Sequence, residues 1–260
     1  MLLDRRDFIS SAFAGAAIGF FPAVPLALAD EPALESRIKA IAFDALCIFD
    51  PRSAYRLAEK LFPGNGHDLG ELWRTRQFEY TWLRVNMGRY EDFWKVTREA
   101  LEFAAEKLKL ELTQDKRDRL MNAFLELKPW PDVVPALTSL KESGIRLALL
   151  SNFAPNMLDA NIKSAGLTSV FEVVLSTNQA KTYKPDPRAY QLGISALKLK
   201  RKEILFVAYG GWDAEGAKSF GYTTFWINRQ DSPPERLGFE MVASGKDLGG
   251  LLAYMKSPQR

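Results

Sequence analysis

The sequence predicts an α/β fold: a Rossmann-like parallel sheet with a helical cap inserted after the first strand. Three observations carry this. Five short apolar runs recur, each nearly continuous rather than alternating, as strands covered on both faces require. Helix-like segments separate the later runs, and a strand–helix rhythm specifies parallel strands joined by right-handed crossovers. About a hundred residues with no strand-like run separate the first apolar run from the second, so a helical insertion interrupts the rhythm there.

The elements follow in order. Residues 1–29 read as an export signal of the twin-arginine type. Arg5-Arg6 precedes an uncharged stretch from Ser10 to Ala29, which closes on the small-x-small pattern Ala27-Leu28-Ala29. Pro22 and Pro25 interrupt that stretch and disfavour a spanning helix. The expected location is therefore periplasmic, with the twin-arginine export machinery as a partner. Lys39–Phe43 is the first strand. Helices are expected over Ala54–Phe62, Leu69–Met87, Tyr90–Leu108 and Thr113–Leu127, with a turn at Pro63-Gly64-Asn65-Gly66. In the third, Phe93, Val96, Ala100, Leu101, Ala104 and Leu108 recur at helical spacing. Pro129 and Pro131 mark the return to the core. Strands then follow at Ile145–Leu150, Phe171–Leu175, Ile204–Ala208 and Thr223–Ile227, with helices at Asn156–Ala165, Pro187–Leu197 and Ala214–Phe220. The expected organisation is a core of residues 30–52 and 128–260 and a cap of residues 53–127.

Composition narrows the function. The 260 residues carry 35 Lys and Arg against 32 Asp and Glu, a net charge of +3. That balance, with no basic run, excludes a nucleic-acid binder held by phosphate neutralisation. One Cys allows no intrachain disulfide, and one His excludes multi-histidine metal centres and leaves only His67 for a Ser-His-Asp arrangement. Cys47 reads as a buried, inert thiol and His67 as a surface residue.

Ligands of open parallel sheets sit at the carboxyl ends of the strands. The first strand ends at Asp44 and the second at Ser151-Asn152; Lys184-Pro185-Asp186 follows the third, and the fourth leads through Gly210-Gly211 to Trp212-Asp213. Taken singly, each is ordinary cap or turn chemistry. Together, a carboxylate, a hydroxyl, a lysine and a second carboxylate converge on one rim.

This order resembles the haloacid dehalogenase superfamily, and more closely its L-2-haloacid dehalogenase (type II) family. The segments Leu72-Trp73-Arg74, Glu79-Tyr80-Thr81-Trp82-Leu83-Arg84, Met87-Gly88-Arg89-Tyr90-Glu91-Asp92-Phe93-Trp94, Tyr183-Lys184-Pro185-Asp186 and Trp212-Asp213-Ala214 carry the resemblance, which runs from about Ile41 to Arg229. It implies that Asp44 attacks the halogen-bearing carbon of a short (S)-2-haloacid, forming an aspartyl ester that water hydrolyses to the (R)-2-hydroxyacid, with no metal or cofactor. It implies further that Lys184 and Asp213 are catalytic and that Arg74 and Asn152 cradle the halide. Ser151 would hold the substrate carboxylate, Tyr190 would support the lysine region, and Phe78, Phe93 and Trp212 would form apolar walls. Relatives of this kind are often homodimers.

Leu46 stands where phosphatases of the superfamily carry a second Asp, and it can neither protonate an alkoxide nor join an oxygen-rich metal shell. The chain also departs from the type II pattern. Asp44-Ala45-Leu46-Cys47-Ile48-Phe49-Asp50 is one residue shorter than the usual Asp-x-Tyr-Gly-Thr-Leu-Phe-Asp, and Ala208-Tyr209-Gly210 replaces a Ser-x-Asn-like stretch. Three polar donors are lost, and each such donor commonly contributes about 10²–10³ in rate. The Tyr209 hydroxyl or the backbone of Gly210 and Gly211 stand as candidates to replace them. Two alternatives therefore accompany the dehalogenase reading: a non-catalytic binder of small acids, and a phosphoester hydrolase.

Overall fold

A computed structural model of the chain describes residues 38–238 and 243–257. The export-signal reading of residues 1–29 lies outside the described residues. The chain enters through strand β1 (Ala40–Phe43), a single turn α1 (Ala45–Ile48) and the short strand β2 (Phe49–Asp50). Four helices follow: α2 (Arg52–Leu61), α3 (Gly66–Asn86), α4 (Phe93–Lys107) and α5 (Gln114–Ala123). Strand β3 (Lys128–Pro129) then returns antiparallel to β2, pairing Phe49 with Pro129 and Asp50 with Lys128. The remainder is α6 (Val133–Glu142), β4 (Arg146–Ser151), α7 (Pro155–Ser164), β5 (Val173–Ser176), α8 (Pro187–Leu197), β6 (Ile204–Ala208), α9 (Gly211–Phe220), β7 (Thr223–Ile227), β8 (Ala243–Gly245) and α10 (Leu248–Lys256).

The main sheet has the order β5-β4-β1-β6-β7-β8, and its paired neighbours are all parallel. Strand β1 lies between β4 and β6, with Phe43 level with Leu149 on one side and Val207 on the other. The chain reverses its winding direction across β1, so the crevice beyond its carboxyl end is the switch point where such sheets bind ligands. Alternation within the strands separates two apolar layers. Ile41, Phe43, Leu147, Leu149, Leu205 and Val207 pack on one face, with Val133, Leu137, Met157 and Leu251. Ala40, Ala42, Ala148, Leu150, Phe206 and Ala208 pack on the other, with Tyr190, Leu197, Ala217 and Phe220. Each large side chain fully buried in these layers is worth about 1.5–3 kcal/mol.

The buried apolar residues of the helices between β2 and β3 are continuous with the first of these layers. Trp73 is buried edge-on against Phe124 at 5.1 Å, and its indole donates to the Thr97 carbonyl at 2.8 Å, joining α3 to α4. Asn161 of α7 ties the end of this segment to the core: its amide donates to the carbonyls of Phe124 and Met157, and its oxygen accepts from the Leu127 backbone.

Helix ends differ from the sequence expectation for local reasons. Helix α4 begins at Phe93 rather than Tyr90 because the Asp92 carboxylate caps it, accepting from Lys95 N at 3.0 Å. Helix α5 stops at Ala123, short of Leu127, because Phe124 N turns back to Met121 O. Helix α6 occupies a stretch in which the sequence marks only the return to the core, at Pro129 and Pro131. Pro135 sits in its first turn, where no N–H partner is needed.

Candidate active site

Asp44 is the residue at which β1 ends. Its backbone N–H donates to Val207 O at 2.9 Å, extending the β1–β6 pairing by one bond, and its side chain caps α1 by accepting from Leu46 N at 2.9 Å. That fixes one carboxylate oxygen. The other accepts from Lys184 Nζ at 2.7 Å. The same ammonium donates to Asp213 Oδ2 at 2.6 Å, and Tyr190 OH donates to Asp213 Oδ1 at 2.7 Å. Lys184 and Asp213 are each 1 % exposed and Asp44 8 %, so this is a buried charge chain whose one open end is Asp44.

One ammonium serves two carboxylates. Burial alone would push the Lys184 ammonium down, but Asp213 and Asp44 outweigh it and hold the lysine above its ordinary value. Burial pushes Asp213 up, Lys184 pulls it back and Asp44 pushes it up again, leaving it at about 6. Burial, with Asp213 beside it, drives the Tyr190 phenol well up, so it stays a donor. Lys184 Nζ also lies 5.0 Å from the centre of the Phe206 ring.

The loop that carries Lys184 is held from both sides. Asn152 Oδ1 accepts from the Lys184 backbone N–H at 2.8 Å and from Thr177 Oγ1 at 3.3 Å. Ser176 Oγ donates to Phe153 O at 2.6 Å, and Phe153 N donates to Ser151 Oγ at 3.2 Å, which shapes the end of β4. Tyr183 OH donates to Glu91 O at 2.5 Å, fastening the lysine loop to the segment before α4. Gly216 makes room beneath: a Cβ there would lie 2.6 Å from both Pro185 Cβ and Tyr190 OH.

Above Asp44 lies a cavity of about 1220 Å³, lined in part by Leu46, Arg74, Phe78, Phe93, Ser151, Asn152, Trp212 and Asp213. Phe78 meets Trp212 at 4.9 Å between ring centres, and Phe93 stacks on Phe153 at 5.6 Å. Trp212 is seated over Gly210, where a Cβ would lie 2.6 Å from its indole nitrogen. Nine of the ten residues singled out in the sequence therefore meet here, Lys184 through Asp44 and the others on the cavity wall. Tyr190, grouped with the substrate-binding residues as a support of the lysine region, does not line the cavity: it is fully buried behind Asp213, packed on Phe206 and Phe220. Arg74 stands at the mouth, its side chain 55 % exposed and paired with Glu71 at 3.1 Å.

The Tyr209 side chain packs with the layer of Leu205 and Val207 and lines the same cavity as Asp44. Cys47 is buried, donates to Val207 O at 3.4 Å and is pushed well up by burial, then by Asp44, so it remains a neutral thiol. Among the described residues no group of three or more His, Cys, Asp or Glu is placed to hold a metal ion. Sequence reasoning missed Trp130, whose indole donates to Leu46 O at 3.0 Å and so braces the turn after the nucleophile candidate. A Trp between two prolines carried no signal for that.

A family model described as haloacid dehalogenase-like hydrolase matches residues 28–221. The chain belongs to that family. Among haloacid dehalogenase-like hydrolases it is 44 % identical over 202 residues to the (S)-2-haloacid dehalogenase of Pseudomonas sp. strain YL, covering 77 % of this chain and 87 % of that one. It is 41 % identical to haloacetate dehalogenase H-2 of Moraxella sp. strain B, covering 78 % and 91 %. The crystal structure of the L-2-haloacid dehalogenase of Xanthobacter autotrophicus with chloropropionic acid covalently bound superposes with a TM-score of 0.77 at 33 % identity, covering 85 % of this chain and all of that one.

Proposed function

We propose that this haloacid dehalogenase-like hydrolase is a hydrolytic (S)-2-haloacid dehalogenase that works through an ester on Asp44. The observation that carries the reading is the Asp44 carboxylate itself: buried, anchored at one oxygen by Leu46 N–H and at the other by Lys184, and open only toward an aromatic cavity. The similarity to (S)-2-haloacid dehalogenases over most of the chain supports the same chemistry.

In the first step a carboxylate oxygen of Asp44 bonds to C2 from the side opposite the halogen, the carbon–halogen bond breaks with its electron pair, and halide departs. Held within 2.7 Å of Asp44, Lys184 keeps the carboxylate ionised where burial would otherwise protonate it. Water then adds at the Asp44 carbonyl; the ester breaks to (R)-2-hydroxyacid, and one proton is released. Asp213, held at about 6, takes that proton or orients the water through Lys184. Ser151 and Asn152 offer polar groups to the substrate carboxylate and halide, and Arg74 reaches them by leaving its exposed pair with Glu71. Phe78, Phe93 and Trp212 keep water from the reacting carbon until the ester forms.

The decisive experiment follows halide release from (S)-2-chloropropionate by the purified protein, with and without chelator, and looks for an Asp44 adduct by mass spectrometry. Chelator-resistant release with an adduct is expected. Release of phosphate from a generic ester instead, or saturable binding with no turnover, overturns the reading. The amino-terminal pattern supports twin-arginine export to the periplasm. Replacing Arg5 and Arg6 together with Lys is expected to leave the precursor in the cytoplasm; unchanged secretion on fractionation removes that proposal.

A further inference from the structure

The dehalogenase reading leaves much of the cavity without a task. At about 1220 Å³ it exceeds the ~300–1,000 Å³ of pockets that enclose drug-sized ligands, and a halopropionate would fill a small part of it. The part with no task in that reading is bounded by Leu46 of the α1 turn, Pro51, Tyr55, Tyr209 and Trp226.

This lobe has a rigid aromatic floor. Tyr209 stacks on Trp130 at 6.5 Å between ring centres, and Trp226 Nε1 donates to Tyr209 O at 3.1 Å. Arg52 and Arg229 cover Trp130, at 4.5 Å and 4.3 Å from its ring. The two guanidinium groups also line the cavity, and each is already paired with an aspartate. Arg52 donates from Nε and Nη2 to the Asp50 carboxylate, at 2.9 Å and 2.7 Å, and Arg229 donates from Nη2 to Asp132 at 2.9 Å and to the Cys47 carbonyl at 3.3 Å. A second carboxylate would have to compete with these aspartates. A flat apolar group meets no such competition and gains aromatic contact.

Resting on the dehalogenase reading, we infer that this lobe receives the C2 substituent, and that the protein prefers (S)-2-haloacids carrying an aryl or arylalkyl group there. An aryl group held equally well in the ground state and the transition state lowers KM without raising kcat, so the preference is expected chiefly in KM.

The test compares initial rates of halide release from (S)-2-chloropropionate, (S)-2-chloro-3-phenylpropionate and (S)-2-chlorosuccinate. The phenyl substrate is expected to show a kcat/KM at least tenfold above chloropropionate, mostly through KM. Tyr209→Ala is expected to cut that ratio at least fivefold, and Tyr209→Phe, which keeps the ring, to preserve it. Turnover of chloropropionate with no gain for the phenyl acid, or a preference for chlorosuccinate, overturns the inference and leaves the dehalogenase reading standing. Halide release from none of the three overturns both. The wild-type comparison decides the matter even if Tyr209→Ala does not fold.

Discussion

Two cations serve one cavity in opposite ways. Lys184 is 1 % exposed, sits on a loop at the carboxyl end of the sheet and touches two carboxylates, at 2.6 Å and 2.7 Å. Arg74 is 55 % exposed, rides on the long helix α3 and touches one carboxylate, itself exposed, at 3.1 Å. The buried cation is placed before substrate arrives and cannot leave without stranding two carboxylates. The exposed one has solvent to return to and little to give up. The charged groups beneath the cavity thus come from strand ends and the segments after them, and the arginine at its mouth comes from a helix.

Several substitutions test that division. Asp44→Asn should have the largest effect, a loss of at least about 10⁴-fold in kcat with no ester detected, since no other group on the wall replaces a missing nucleophile. Lys184→Met should follow, at roughly 10³-fold or more in kcat together with a stability loss of about 3–5 kcal/mol in urea titration, because a buried ionic group is broken rather than replaced whole. Arg74→Ala should lower kcat/KM by roughly 10–10³-fold and leave urea stability within about 0.5 kcal/mol. If Arg74→Ala instead unfolds the protein, or Lys184→Met leaves its stability intact, the contrast between the two cations fails.

The smallest expected effect sharpens the comparison from the side of Asp213. With Asp213 at about 6, kcat should fall as pH drops below about 6, where its protonation removes one partner of Lys184. The Tyr190 hydrogen bond opposes that protonation, so Tyr190→Phe should move this acid limb to higher pH with modest change at its plateau. A pH–rate profile checks both; an unmoved limb would separate Tyr190 from the charge chain. Stability runs the other way. Because the folded value is raised above the ordinary carboxylate value, the contribution of Asp213 is fully present below about pH 4 and is lost as pH rises through about 6. The salt-bridged Asp50, Asp132 and Asp186 are each lowered and act in the opposite sense.

What could be read in the sequence follows from what local patterns encode. The strand runs were legible because a strand buried on both faces is apolar throughout, and the candidate site was legible because Asp44, Ser151 and Asn152 directly follow such runs and Lys184 and Asp213 lie in the segments after two more. Depth was not legible. Tyr190 is one turn into a helix that could present it either to the cavity or to the sheet, and only packing on Phe206 and Phe220 decides. Strand β8 and helix α10 escaped because Ala243–Gly245 carries no apolar run and Gly249-Gly250 reads as a loop. The bracing of Trp130 by Arg52 and Arg229 joins three distant parts of the chain, so no window of sequence contains it.

Gly216 sets a limit on how the protein can be stabilised. In an exposed helix interior, exchanging glycine for alanine is normally favourable by about 1 kcal/mol. Here the added methyl would press on Pro185 and on the oxygen of Tyr190 at once. The usual recipe for stiffening a helix would thus loosen the loop of Lys184 and the proton setting of Asp213 together. A screen that selects for heat resistance alone should therefore leave this position untouched, or change it only at the expense of turnover.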